Sequence, residues 1–381
     1  MIRSTALRSG RPALIRSPLL AVLGCVALAA SPARAEALKP EPTPYSVAPG
    51  FDGETKDGQI RPAFDLSGAA CRPAGSDGAR TCVAVNDENS GAQVFRLSGT
   101  TITPGATAFD QGRAPTPGIR GTPPKTFACT GGAGAFDQLD GEAVAYAEPY
   151  FYVTGSHGCT RGKRRYTLSA MILTRLRVDA AGTVSERLST YRLTDALKAS
   201  EAVRDYVLRD LEFDWHNPPP AGTPQPNGLN IEGLAVVSDR LYAGLRAPTL
   251  DGTAHLISAP VAPLFADGDA PLQSEILTIP LKLGQDAGIR DLAALDDGRL
   301  LVLAGPARNR LDVPYTLSIA ELPSGRLTPL GTLEPVRGPN ADGKTVTGKP
   351  EAVIRLGPGR VLVLFDSLRD GAPHAYAVPV P

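Results

Sequence analysis

The chain has 381 residues, 42% of them hydrophobic, and its 39 basic and 39 acidic side chains give a formal charge of zero. That balance excludes the basic stripe a nucleic-acid partner requires. Forty glycines and thirty-six prolines against two methionines describe a chain cut into short pieces by turns, not a helical bundle.

Residues 1–35 read as a signal peptide. Arg3, Arg8, Arg11 and Arg16 make a basic front, Leu19 to Ala30 an apolar segment, and Ala33-Arg34-Ala35 a small-residue cleavage site. Cleavage after Ala35 removes five arginines and no acids, so the remaining chain carries a net charge of −5. The apolar run falls short of the roughly 20 residues a spanning helix needs. The reading is therefore a periplasmic or secreted, soluble monomer with no membrane span. Residues 36–58, with Pro40, Pro42 and Pro44, form a proline-rich lead expected to be extended and partly mobile. A single domain is expected over 59–381.

Four cysteines remain after processing. Three pairings are open to them in an oxidising compartment. Cys71 and Cys82 flank a Gly/Pro/Ser-rich loop on two hairpin strands, where a local staple is easy to build, and this leaves Cys129 for Cys159.

From residue 65 onward one unit recurs: an acid, a short apolar run, a tight turn and a second apolar run. Asp65-Leu66-Ser67-Gly68 opens the first copy, which ends at Asn86-Asp87-Glu88. Glu142 opens the second, which ends at Gly155-Ser156-His157. Glu232 opens the third and Arg246 closes it. Asp291 opens the fourth, and Glu351 opens the fifth, which ends at Phe365-Asp366. Two further strand-like runs follow most copies, for example His255–Val261 and Glu275–Leu281, or Tyr315–Leu322 and Arg326–Leu333. Four strands per repeat is the content of a β-propeller blade. The fold class predicted is an all-β propeller with five visible blades, and a degenerate sixth has room in 100–140 or 195–230. The last repeat is one strand short after His374–Val380, and ring closure is expected from Gln59–Asp65. Leu197, Val203, Val207, Leu208 and Leu211 fall at helical spacing, predicting one amphipathic helix over Asp195–Phe213 between blades, capped by Thr194 or Asp195. Trp215 and His216 follow it, and the Trp reads as packed under a proline-rich loop. Arg161-Gly162-Lys163-Arg164-Arg165 reads as a solvated loop, not an anion site.

Blades share one polarity, so the equivalent ends of the hairpins converge on one face. That face collects candidate catalytic residues His157, Glu232 and Arg246, and candidate ligand-binding residues Glu142, Arg290, Asp291, Glu351 and Asp366. Clustered carboxylates at low dielectric each need a cation, a proton or an N–H donor. Three arrangements satisfy this. Each acid could accept backbone N–H groups of its neighbouring blade; Glu142, Glu232, Asp291 and Glu351 could ligate a divalent ion such as calcium; or Arg246, Arg290 and His157 could bind an anionic small molecule. No cofactor is required by the sequence.

Val153-Thr154-Gly155-Ser156-His157, Gly244-Leu245-Arg246-Ala247-Pro248, Gly288-Ile289-Arg290-Asp291-Leu292 and Leu303-Ala304-Gly305-Pro306 together resemble the bacterial domain of unknown function 3616 family, from about residue 60 to the C-terminus. The resemblance implies a fold and a face, since the family carries no established activity. Glu232-Gly233-Leu234-Ala235 is similar to a motif of the esterase-like phytase family, a more distant propeller group linked to phosphoester hydrolysis. The function expected is binding of a small ligand or divalent metal at a central acidic and arginine-containing site, with hydrolysis of a phosphoester or other ester. The alternative is a non-catalytic scaffold whose face docks a protein or a cell-envelope polymer.

Overall fold

Period-two alternation of apolar residues on strands with both faces buried decides the architecture. In the hairpin Asn230–Val237/Arg240–Ala247, Leu234, Leu241 and Ala243 join one core while Ala235 and Tyr242 join another. A sheet buried on both faces needs a neighbour on each side, and repetition of such sheets closes a ring. The computed structural model describes residue 1 and residues 36–112, 114–115, 118–211, 228–308 and 312–379. The signal-peptide reading, Trp215 and His216 lie outside these residues, as do the end of the predicted 195–213 helix and residue 380 of the last strand.

Five antiparallel blades follow in chain order. Their innermost strands are Leu66–Cys71, Gly141–Ala147, Asn230–Val237, Ala287–Ala294 and Lys349–Gly357. Five hydrophobic cores lie between blades 1 and 2, 2 and 3, 3 and 4, 4 and 5, and 5 and 1. The last of these, where Ile354 and Leu362 of blade 5 meet Ala69 and Ala84 of blade 1, closes the ring. The blade count is therefore five.

Closure differs from the sequence reading. Gln59–Pro62 pairs with Asp52–Lys56 in a small hairpin, not with the last strand. The missing outer position of blade 5 is taken instead by the proline-rich lead: Pro40 bridges Tyr376, Glu41 N–H donates to Ala375 O at 2.7 Å, and Tyr45 N–H to Pro373 O at 2.9 Å. On either side of that point the lead adds an outer strand to blade 4, where Ala37–Leu38 pairs with 332–333, and to blade 1, where Ser46–Val47 pairs with 101–102. Prolines are tolerated at this edge position because they have no N–H to donate and an edge strand needs donors on one side only. The lead is thus a clasp across three blades.

The predicted helix is shorter and starts earlier. An α-helix runs Arg192–Ala199, Ser200 is extended, and a single 3-10 turn follows at Arg204–Tyr206. Leu193, Ala196 and Leu197 are buried against blades 2 and 3, and the cap residue is Tyr191 without a side-chain bond. Arg192 decides this boundary: its buried guanidinium donates to the carbonyls of Leu264, Ala266, Asp267, Gly268 and Ala270. Both disulfides form as read, Cys71–Cys82 between directly opposed strand positions and Cys129–Cys159 across thirty residues. Among the described residues no helix is long and apolar enough to cross a membrane.

Candidate functional site

In its first half each innermost strand carries one residue with no cross-strand partner, where the pairing register slips by one. These residues are Ser67, Glu142, Glu232, Arg290 and Glu351. A β-bulge re-aims a side chain and often stands beside a binding site. The five positions are equivalent in the ring. In blade 3 a second slip leaves Arg246 unpaired on the facing strand. Gly288 allows blades 3 and 4 to meet closely here, because a Cβ at that position would stand 2.1 Å from Arg246 O.

The bulges build a buried ionic network. Arg246 Nη1 lies 2.6 Å from Glu232 Oε1, and Arg290 Nη1 2.9 Å from Glu232 Oε2. Arg290 also pairs through Nη2 with Glu351 Oε1. Asn230 Nδ2 donates to Glu232 Oε1 at 3.1 Å, and Arg246 Nε to Ala307 O at 3.2 Å. None of these five side chains belongs to a residue more than 6% exposed. Burial works against the Glu232 charge, but the Arg246, Arg290 and Arg161 guanidinia hold its carboxyl below the usual range. Burial and the neighbouring Arg246 pull Arg290 down from its ordinary value.

Beside this network the balance reverses. Glu142 has no hydrogen-bond or ion-pair partner among the described residues, and it is half-buried. Burial first, then Glu232, Asp140 and Asp87, push its carboxyl well above the ordinary range. Asp140, which accepts the Ser156 hydroxyl, is raised by burial, and Asp87 well above its usual value by burial and the carboxyls around it. Asp366 belongs to this acid arc: Lys349 Nζ lies 2.7 Å from it, and it helps burial push Asp65 up to about 7.

Two sequence assignments change. Asp291 is not equivalent to the other acids, because the bulge of blade 4 is Arg290, one residue earlier. Asp291 is fully buried and accepts the N–H groups of Leu292 and of Val353 in blade 5, each at 2.7 Å. It ties two blades together. The four carboxylates named as a calcium set therefore do not converge, and two of them are paired with guanidinia. Among the described residues no three His, Cys, Asp or Glu side chains are grouped to hold a metal ion. His157 is fully buried with a φ of +55°, rare for a side chain of this size. Its Nδ1 lies 3.3 Å from Gly155 O and its Nε2 has no partner. Burial holds the ring at about 4, hence neutral, and no hydrogen bond or ion pair joins it to Glu232 or Arg246 among the described residues.

Three participants escaped the sequence reading. Arg161 is half-buried and lies within electrostatic reach of Arg246, Glu232, Glu142 and Asp140, not free in solvent. Asp140 and Asn230 were also missed. Their signal was their place two residues before the bulged Glu142 and Glu232.

Residues 171–317 match the model of the family described as Protein of unknown function (DUF3616). The family resemblance stands over that stretch. No curated protein matches the chain, and no comparison shows the likeness to the esterase-like phytase family. The chain is similar in fold to a GH43 β-1,3-galactosidase (11% identity, 88% of this chain and 94% of that one, TM-score 0.44). It is likewise similar to a mannose phosphorylase from Leishmania mexicana (10%, 91% and 88%, TM-score 0.40) and to a gluconolactonase from Xanthomonas campestris (11%, 91% and 98%, TM-score 0.39). The propeller assignment rests on the strand order and the five cores, not on these likenesses.

Proposed function

We propose that the protein is an exported, monomeric propeller whose channel mouth binds a small non-anionic molecule and hydrolyses an ester or lactone bond in it. One observation carries this reading. Glu142 and Glu232 occupy equivalent bulges of adjacent blades, yet the first makes no ion pair and is raised by burial and neighbouring carboxyls, while the second is paired with two guanidinia and held low. Two carboxyls pushed apart in this way are the usual arrangement for an acid and an anionic partner in one site.

In this reading Glu142 donates its proton to the leaving oxygen. A water attacks the carbonyl carbon, and its proton passes to Asp140, whose carboxylate is oriented by the Ser156 hydroxyl. Arg161 is placed to offset charge developing on the carbonyl oxygen. A phosphoester is disfavoured, because Arg246 and Arg290 are engaged by Glu232 and Glu351 and the mouth is otherwise acidic. The scaffold reading gains no support: among the described residues past Met1, Ile60 and Phe127 are the large apolar side chains left exposed, and they do not make a broad patch.

The test is turnover of a panel of esters, lactones and phosphoesters by the purified chain, beside Glu142→Gln. Hydrolysis of a carboxylic ester or lactone that drops by roughly a hundredfold or more in the variant is expected. Preference for phosphoesters, or full activity in Glu142→Gln, would remove the assignment.

A further inference from the structure

The innermost strands enclose more than the ionic network. Starting two residues past each bulge, at Ala69, Val144, Leu234, Leu292 and Val353, all five line a single cavity of about 400 Å³. That volume falls in the range of small-molecule sites and matches about a dozen waters. The five strands share one polarity, so the cavity occupies the half of the channel away from Glu142 and Glu232.

The wall is polar along its backbone. Each innermost strand is the end member of its sheet, so one edge has no strand partner and turns N–H and C=O groups towards the channel. Asp291 takes two of these N–H groups, from Leu292 and Val353. The rest require water or a ligand that both donates and accepts.

The charged side chains lining the cavity are Arg80, Arg355 and Asp296, at the end where the innermost strands finish. Arg355 grips Asp296 with both Nη atoms, each contact 2.8 Å. Arg80 has no such partner. Its Nη1 and Nη2 donate to the carbonyls of Arg355 and Leu356 at 2.9 and 2.7 Å, which uses two of its five N–H donors. Among the described residues no carboxylate pairs with it, and the neighbouring charge that acts on it is the Arg355 guanidinium. Two cations against one acid leave this rim with a net charge of +1.

An apolar chain in the cavity would leave the strand edges unanswered. Hydroxyl groups donate and accept, so a hydroxylated body answers both. A guanidinium fork suits a carboxylate, and one negative charge balances the rim where a dianion exceeds it. We propose that this half of the channel is a second binding site, for a small hydroxylated monocarboxylate of the sugar-acid class, with its carboxylate on Arg80 and its hydroxyls against the strand edges. The proposal is independent of the hydrolytic reading above.

Titration calorimetry on the full chain tests it with gluconate and glucuronate, beside glucose, hexanoate and inorganic phosphate. At least one sugar acid should bind roughly tenfold or more tightly than glucose, hexanoate or phosphate. Arg80→Gln should weaken that sugar acid by about tenfold or more. The Asp296 side chain is 90% exposed, so Asp296→Asn should fold normally. By releasing Arg355 it should tighten binding about threefold, and it decides the matter alone should Arg80→Gln misfold. Glu142→Gln, at the opposite end of the channel, should leave the affinity unchanged. No binding of either sugar acid up to tens of millimolar overturns the proposal, as does equal binding of glucose, hexanoate or phosphate. Unaltered affinity in Arg80→Gln, unaltered or weaker affinity in Asp296→Asn, or weakening by Glu142→Gln overturns it too.

Discussion

Glu232 Oε2 lies 2.9 Å from Arg290 Nη1, and the two side chains leave equivalent bulges of adjacent blades. The pair joins blades 3 and 4, and Arg290 carries the link on to Glu351 in blade 5. Removing one member strands a buried charge. Arg290→Leu is expected to cost about 3–5 kcal/mol in urea unfolding, whereas Glu232→Leu/Arg290→Leu should cost clearly less than the two single variants added together. A cost below about 1 kcal/mol for Arg290→Leu would show that the network is not what joins these blades.

The acid arc sets a pH dependence of stability. Burial, with Asp366 and Glu88, pushes Asp65 up to about 7, and burial is the largest cause raising Asp87, Asp140 and Glu142. Unfolded carboxyls titrate near 4, so the folded chain holds extra protons between about pH 4 and 7. The stability from these groups is complete below that window and lost as pH rises through it. His157, lowered to about 4, and Glu232, also lowered, act in the opposite sense and cost stability as pH falls. The melting temperature should drop as pH rises from about 6 to about 7, and Asp65→Asn should flatten that drop. A rise over the same interval would contradict the arc.

Deleting residues 36–48 from a chain that begins at Glu36 should lower the melting temperature and promote association, since the outer edges of blades 4, 5 and 1 lose their cover. Glu41→Ala removes a half-exposed pair with Arg360 and should cost no more than about 1 kcal/mol. An equally stable, monomeric deletion variant would mean that the clasp is dispensable.

Each disulfide should appear as a cross-linked peptide, 71 with 82 and 129 with 159, in a non-reduced digest. Closing loops of 11 and 30 residues contributes roughly 3 and roughly 3.5 kcal/mol by chain entropy. Cys129→Ala/Cys159→Ala should therefore destabilise slightly more than Cys71→Ala/Cys82→Ala. The reverse order would point to an effect on the blades themselves.

The repeat, the hairpins and both disulfides were legible because apolar alternation and turn residues are local signals. The site was legible only to within one residue. A bulge inserts a residue without changing composition, so Asp291 took the place that belongs to Arg290, and Ser67, with no charge, went unnoticed. Arg161 looked like a solvated loop because its setting depends on Glu232 and Arg246 of the next blade. The lead misled for a related reason: Pro40 and Glu41 carry no strand signature of their own and become an edge only against Tyr376 and Ala375.

The clasp also orders events in time. Residues 37 and 40 find their partners at 332 and 376, so the start of the lead, the first part of the propeller made by the ribosome, cannot be fastened until the last has been made. Blades 1 to 4 can form as the chain emerges, but with two open flanks. Completion of the ring is a post-synthetic step that sequence separations of this length make slow. Until it happens the outer strand of blade 4 is a surface where another chain could intrude, which makes the interval before fastening the point in the life of this protein when a chaperone would matter most.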